Sequence, residues 1–527
     1  MDGHLDPQKL PHLMERRKFL SLSMLAAGSA AGAALLASCA PGATPTPTTS
    51  GAASTPRRGG TLTVADLGSS NDTLDPKNFG LINSRVTQLY EPLIGYGPSE
   101  VANLEMILAE SFEMDSATQY TIRLKEGITF HNGKTLTSAD IAASIRRSAG
   151  TGATYEAIFP TLIDLDALEQ LDDRTLRVTL LRPHTMLRDL FPQVFIVPED
   201  FDPTKAVGTG PYKLGSFTPG ARSTLDRYDG YWREGMPYFD SIVTLSLSDP
   251  AAQANALLSG QADVNLIMAY NKVAAVESAQ GLSVDVFKYS SFQNININTT
   301  IAPFDDPLVR QAMKHLINRE QIVQQVYGGY GWVGNDVPAP LDPNFDTSLK
   351  APEYDPDKAK SLLKQAGVEG FSSTVFTAAT AAGIVELAEA FAQQARDAGI
   401  KIESEQLDEQ TYFGPEYRHR PMSTSFWPGA NLTNMFETCF TTGAPFNSTN
   451  FSDSEFDGLW SQACQQTDDA KRKELLFAMQ AILNERGTFL IPAFLQGVNG
   501  YKDTVKGMQP YPNAVAMAMD YATIWRA

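Results

Sequence analysis

Four histidines stand beyond the N-terminal apolar run, His131, His184, His315 and His419, separated by 53, 131 and 104 positions. A metal held by imidazole needs a pair at close spacing, as in HExxH, and none of these intervals supplies one. His131 lies in Phe130-His131-Asn132-Gly133, the composition of a tight turn after a strand, so a structural or surface place is expected for each histidine. Asp305-Asp306 has the composition for acid–base exchange, but Pro307 follows directly, and aspartate before proline reads as a helix cap. Val207-Gly208-Thr209-Gly210-Pro211-Tyr212 is glycine-rich; Pro211 lacks an amide hydrogen and no lysine follows at phosphate-loop spacing, so it reads as a turn. No GxSxG elbow occurs. Cys439 and Cys464 suit either a disulfide formed after export or two buried thiols.

Aromatic side chains offer more. Tyr327, Tyr330 and Trp332 cluster among Gly328, Gly329, Gly331 and Gly334, while Phe426-Trp427-Pro428-Gly429 precedes Asn431. Rigid rings separated by glycine can wall a ligand cavity, and they can equally pack a core or a domain seam. Asn294, Asn296 and Asn298 alternate, which places three amides on one face of a strand as a candidate hydrogen-bonding wall.

These residues must be carried by a mixed α/β body. Strands are expected at Thr61 to Ala65, Tyr120 to Leu124 and Ile242 to Leu247. Helix starts are signalled by Thr137 with Asp140, Asn318 with Gln321, Ser452 with Glu455, Asp306-Pro307 and Asp355-Pro356. After Asp306, the residues Val309, Ala312, Met313 and Leu316 mark a buried stripe; after Asp355, Gly367 is the stop. No internal repeat emerges.

The chain has 527 residues, 43% of them hydrophobic and 19% charged, enough for at least two lobes rather than one growing core. Its formal net charge of −18 disfavours a phosphate backbone as partner, so no nucleic acid is expected. Three cysteines exclude a disulfide scaffold and a four-thiolate metal site. At the start, Arg16, Arg17 and Lys18 precede the apolar run Phe19 to Ala37, which Ser21, Ser23, Ser29, Gly28 and Gly32 keep weakly hydrophobic. The run ends in Leu36-Ala37-Ser38-Cys39, which resembles the lipobox of bacterial lipoproteins. Residues 1–38 are therefore expected to be a signal peptide and Cys39 the lipidated residue. Glu15-Arg16-Arg17-Lys18-Phe19-Leu20 resembles a twin-arginine export signal with Glu15 where Ser or Thr is usual, although ordinary export signals are basic too. Residues 39–58, rich in proline, threonine and small residues, read as a flexible tether. No later stretch approaches an uninterrupted apolar 18-mer.

The body resembles the family 5 extracellular solute-binding proteins, whose best known members bind oligopeptides, dipeptides or nickel for ATP-binding cassette importers. The resemblance runs from about residue 58 to 515. It is carried by Gly59-Gly60-Thr61-Leu62-Thr63-Val64, Tyr90-Glu91-Pro92-Leu93-Ile94, Leu108-Ala109-Glu110-Ser111-Phe112 and Glu126-Gly127-Ile128-Thr129-Phe130-His131-Asn132-Gly133-Lys134. Gly208-Thr209-Gly210-Pro211-Tyr212, Tyr228-Asp229-Gly230-Tyr231-Trp232, Pro303-Phe304-Asp305-Asp306-Pro307 and Tyr354-Asp355-Pro356 continue it in order.

The resemblance implies an α/β, two-lobed periplasmic-binding-protein fold of type II, cluster C-like, with an extra inserted domain and a deep interlobe cleft. The first lobe would span 59–275 and return at 497–527, with the insertion near 91–207; the second would fill 276–496. It implies a monomeric, lipid-anchored, exported receptor at the outer face of the cytoplasmic membrane or in the periplasm, working with permease and ATPase subunits on separate chains. No cofactor or catalysis is implied; a nickel site is possible in the family, but no spaced histidine pair argues for one here, so no metal is expected. Peptide-binding relatives have an aspartate shortly after the loop tryptophan, where it pairs with the α-amine. Trp427 fits that aromatic, but Pro428-Gly429-Ala430-Asn431 holds no acid, and Asn431 makes only neutral hydrogen bonds. This puts zwitterionic dipeptides in doubt and leaves a longer or capped peptide, a sugar, an opine or another polar solute; Glu416 or Glu437 are the alternative acids. The ligand-binding set is thus Trp427, Asn431, Phe426, Asn294, Asn296, Tyr330 and Trp332. A secreted hydrolase, or a sensor or folding helper built on the same closing fold, are the rival classes.

Overall fold

The computed structural model describes residues 55–77, 84–98, 102–429, 431–509, 511 and 519–527, all within the unit Ser54–Ala527. The expected signal peptide, Cys39, the tether as far as residue 54, and Ala430 lie outside the described residues.

Alternation makes Thr61–Asp66 a strand, with Leu62 and Val64 fully buried. It pairs in parallel with Ser241–Ser246, beyond which Arg222–Arg227 and Tyr212–Thr218 follow antiparallel. On its other side lies Val264–Asn265, which pairs with Phe489–Lys502. The sheet continues through Leu282–Ile297, Met422–Trp427, Ser372–Thr377 and Lys401–Gln406, while Gly331–Val333 also pairs with Phe489–Lys502, making eleven strands. The last two are parallel, and the helix Ile384–Asp397 is the crossover that a parallel pair requires.

The two long strands, Leu282–Ile297 of 16 residues and Phe489–Lys502 of 14, pair antiparallel over most of their length and join the halves of the sheet. Their register breaks between Lys288, opposite Gln496, and Phe292, opposite Phe494, so Tyr289, Ser290 and Ser291 bulge against Leu495. Such a bulge bends a strand locally and re-aims its side chains.

Separate cores lie on either side of these strands. One, with Leu62, Tyr90, Tyr212, Ile242 and Val264, is completed by Val505, Met519, Tyr521 and Ile524 near the C-terminus. A second runs from Leu93 to Ile196 around a four-stranded antiparallel sheet of Ala109–Ser116, Gln119–Leu124, Thr175–Thr179 and Glu169–Asp172. Two more are built mainly from Phe292 onward, one around Val309, Met313 and Phe391, the other around Phe436, Phe456 and Phe489, which also takes in Met186.

The helix starts obey local chemistry. Asp306 and Asp355 accept from the amides of Leu308 and Lys358, Asn318 accepts from Gln321, and Thr137 with Asp140 completes a capping box. Val309, Ala312, Met313 and Leu316 are all fully buried. The cap of the helix Ser454–Gln465 is Asp453, which accepts from Glu455 and Phe456, one residue later than the expected Ser452. The carboxylate is the stronger acceptor for free amides at the positive end of the helix dipole, and Ser452 instead accepts from Thr442 Oγ1. No described helix is long and apolar enough to cross a membrane.

Candidate functional site

Where the long strands meet Gly331–Val333 and Met422–Trp427, the register aligns Trp332 with Phe494, Phe494 with Phe292, and Phe292 with Trp427. Strand spacing makes this row roughly 14 Å long. All four side chains join one aromatic core, Phe292 and Phe494 buried within it and the two tryptophans partly buried at its ends. Trp332 lies 5.7 Å from Phe494, and Trp427 6.3 Å from Phe489, ring centre to ring centre. The Trp427 indole N–H is shielded from water and meets no acceptor in the protein. Indole only donates, so this buried group keeps a hydrogen bond that no protein atom takes up.

The segment just after Trp332 is held by a buried ion cluster. The Arg319 guanidinium donates to both oxygens of Asp336 at 2.8 and 2.7 Å and through Nε to the carbonyl of Gly334 at 3.0 Å. Asp336 also accepts from the Ile491 amide, which ties Trp332's strand to Phe489–Lys502. Lys314 stands 3.6 Å from Asp336, and burial pushes its pKa down to about 8.

The other expected binding residues are distributed as follows. Phe426 neighbours Trp427 but points to the opposite face of its strand, opposite Gln293, and is 40% exposed. Asn294 and Asn296 share Trp427's face and are buried in a closed network: Asn294 donates to Asn296, Ser425 donates to Asn294, and Asn296 donates to Ser423. Asn298 donates to the carbonyl of Arg418. Tyr330 stacks on Tyr270, centres 5.3 Å apart, packing against a small cluster that contains Leu257 and Val276. The structure therefore brings Trp427, Trp332, Asn294 and Asn296 to one face and sets Tyr330 and Phe426 apart from them.

Asn431 is the N-cap of the helix Leu432–Met435, accepting from the Asn434 amide. Its side-chain nitrogen donates to the Tyr96 hydroxyl at 2.8 Å and to the Asp189 carbonyl at 2.7 Å. Asp189 accepts from Thr433 Oγ1, and Asp342 from the Leu432 amide. Neither carboxylate has a lysine or arginine in salt-bridge contact among the described residues, and burial pushes Asp189 up to about 6 and raises Asp342 as well. These two acids were not evident from the sequence, because Asp189 lies more than 200 positions from Asn431. Of the acids the sequence did suggest, Glu416 is exposed and Glu437 is shared between Arg182 and Trp460. Asn431→Asp would keep the cap, lose both donated bonds and add charge beside Asp189 and Asp342. It is expected to destabilise the protein by about 1–3 kcal/mol in urea titrations at pH 7 rather than create an amine site.

The motif residues have structural work. His131 Nδ1 accepts from the Gly208 amide and Nε2 donates to the Gly210 carbonyl. A Cβ at Gly208 or Gly210 would fall 2.0 Å from the Leu89 oxygen or 2.3 Å from the Gln88 oxygen, which explains the glycines without a phosphate. Cys439 and Cys464 are free and buried in the same aromatic core. Among the described residues, no group of three or more His, Cys, Asp or Glu side chains could hold a metal ion.

Comparison with known proteins adds to this geometry. The model of a family described as bacterial extracellular solute-binding proteins, family 5 Middle, matches residues 103–446. The chain is similar to the glutathione-binding protein GsiB of Escherichia coli O1:K1 / APEC, 26% identical over 475 residues, 85% of this chain and 92% of that one. Its fold is similar to that of the ABC transporter-associated periplasmic binding protein DppA of Helicobacter pylori, solved with the peptide STSA. The TM-score there is 0.77 at 22% identity, covering 89% of this chain and 98% of the other. The binding protein AgaA of A. tumefacien R10, solved with agropinic acid, gives a TM-score of 0.75 at 22% identity, covering 89% and 99%. Both are periplasmic-binding-protein folds.

Proposed function

The chain belongs to the bacterial extracellular solute-binding proteins of family 5, and from that premise we propose that it is the receptor of an ABC importer for a peptide-like solute, which it binds without turnover. The solute would lie along the tryptophan row, between a first lobe of 59–275 and 497–527, carrying the insertion near 91–207, and a second lobe of 276–496. Trp427 and Trp332 would wall it, and Asn294, Asn296 and Asn431 would frame the cleft, with Phe426 and Tyr330 outside it. The observation that carries this reading is the Trp427 N–H, buried, without an acceptor, and set at the end of an aromatic row where the halves of the sheet meet. A peptide supplies what that donor needs at every residue, a carbonyl oxygen. Asp189 and Asp342 supply desolvated carboxylates near the Asn431 loop for a solute's ammonium, the role the loop itself cannot fill.

The relatives' cargoes set the range: glutathione for GsiB, a peptide for DppA and agropinic acid for AgaA. An opine- or saccharide-binding receptor is the second reading, favoured by the absence of an acid in the Asn431 loop. Export and anchoring would follow from the leader and Cys39, by the twin-arginine route, and the receptor would act as a monomer with separate permease and ATPase chains. The test is calorimetry on refolded protein freed of carried solute, against glutathione, the peptide Ser-Thr-Ser-Ala, agropinic acid and a set of saccharides. Micromolar or tighter binding of either peptide is the expected result. Silent peptides with a bound opine or sugar would overturn the cargo, and hydrolysis of any probe would overturn the receptor.

A further inference from the structure

The segment Arg182–Asp189 leaves the core built from Leu93 to Ile196 and meets the helix that begins at Leu432, together with the end of the helix Ser454–Gln465. Met186 inserts into the aromatic core of Phe436, Phe456 and Phe489 rather than its own and is 7% exposed. The Thr185 amide donates to the Cys464 carbonyl at 2.9 Å, and its hydroxyl to the Ala463 carbonyl. Farther along, Asn434 donates to the Tyr155 hydroxyl, Thr433 to Asp189, and the Ala102 amide to the Leu341 carbonyl at 2.9 Å.

Glu437 sits where the helix widens into a π-turn, Phe436–Phe440, an irregularity that re-aims side chains. One carboxylate oxygen accepts from Arg182 across the seam, and the other from the Trp460 indole at 2.8 Å. His184 is fully buried with its Nε2 3.8 Å from Glu437; held to a pKa of about 4 by burial, it is neutral at pH 7 and leaves Arg182 as the cation facing that carboxylate. Apart from the Trp460–Glu437 bond, which lies within the second lobe, every contact joins groups remote in sequence and must break if the inserted unit leaves that lobe. The cap of the same helix, Asn431, lies four residues after Trp427, so a solute against Trp427 bears on the element that carries Thr433, Asn434 and Glu437.

We propose that Arg182–Asp189 and the helix from Leu432 to Phe440 form a latch, centred on Glu437, that opens as one unit from Ala102 to Thr185 and must open for solute to exchange. Its link to solute exchange rests on the receptor reading above; its cooperative opening does not. Hydrogen exchange on the full chain without added solute tests the opening. The amides of Ala102 and Thr185 should share one opening in the wild type, and Arg182→Ala should speed both on the order of tenfold. The Leu124 amide, bonded to Arg174 within the four-stranded unit, should keep its rate, and Arg182→Lys should restore most of the protection at both seam amides. Unchanged rates, a response at one seam amide only, or acceleration of Leu124 in step with them would each overturn the latch. With glutathione as probe, Arg182→Ala should speed dissociation by the same factor as the amides. Dissociation that keeps its wild-type rate while both amides accelerate would overturn the link to exchange. Should glutathione fail to bind while the amides respond together, the cargo assignment falls and the latch stands.

Discussion

Trp427→Ala is expected to weaken solute binding about a hundredfold, roughly 2–3 kcal/mol, as truncation of a buried aromatic anchor does at binding hot spots. Two contributions make up that loss. The ring covers one end of the row Trp332, Phe494, Phe292 and Trp427, and its removal returns solute surface to water. The indole N–H is a donor with no protein acceptor, so its bond to solute replaces no existing bond. Trp427→Phe separates the two: it keeps the ring face and loses the donor, with an expected loss of about tenfold, about 1.4 kcal/mol. Calorimetry on both variants, with the peptide or other solute bound by the wild type, checks the partition. Equal losses would assign the whole effect to the hydrogen bond; an unaltered affinity in Trp427→Ala would remove the row from the site.

The pattern of what the sequence revealed follows the range of the forces involved. Caps and stops are local: Asp306, Asp355, Asn318 and Thr137 bond to amides two or three residues away, so their spacing alone locates the helix starts. The one shifted cap, Asp453 in place of Ser452, came from two adjacent acceptors competing for the same amides. Site chemistry is not local. Asn294, Asn296 and Asn298 do alternate on one strand face, but whether those amides are free depends on Ser423, Ser425 and Arg418, which arrive more than a hundred residues later. The pairing of Trp332 with Trp427 across four strands was equally invisible, because it depends on a bulge at Tyr289–Ser291 that no propensity specifies. Phe426 and Trp427 were grouped by adjacency, whereas a strand sends neighbours to opposite faces.

The quoted motifs show the same limit from the other side. Tyr90-Glu91-Pro92, Gly208-Thr209-Gly210 and Tyr228-Asp229-Gly230-Tyr231-Trp232 are separate in sequence and converge on one carboxylate. Glu91, 7% exposed, accepts from Tyr231 at 2.8 Å, Trp232 at 2.9 Å and Thr209 at 2.9 Å. Its carbonyl accepts from Ile196, at the end of the four-stranded unit's core, so this node fastens that unit to the segments that carry Thr209, Tyr231 and Trp232. The motifs meet as parts of a joint, and they say little about cargo.

Glu91→Ala should therefore cost about 3 kcal/mol at neutral pH, because three buried donors lose their acceptor and the indole of Trp232 cannot turn toward another. Glu91→Gln, which keeps a carbonyl oxygen and can donate to Thr209, should recover more than half of that loss. The pH dependence distinguishes this joint from an ordinary packing defect. Burial is the largest influence on Glu91 and raises its pKa from 4.5 to about 7. The folded protein thus holds this proton more tightly than the unfolded chain does, so the stabilisation from protonated Glu91 is complete below about pH 4.5 and is lost as pH rises through about 7. Urea titrations at intervals from pH 4.5 to 8 should show this decline in the wild type and a flatter profile in Glu91→Gln. Parallel profiles for the two proteins would mean that Glu91 stays ionised across that range, its three donors outweighing burial, and the joint would then hold its full strength at neutral pH.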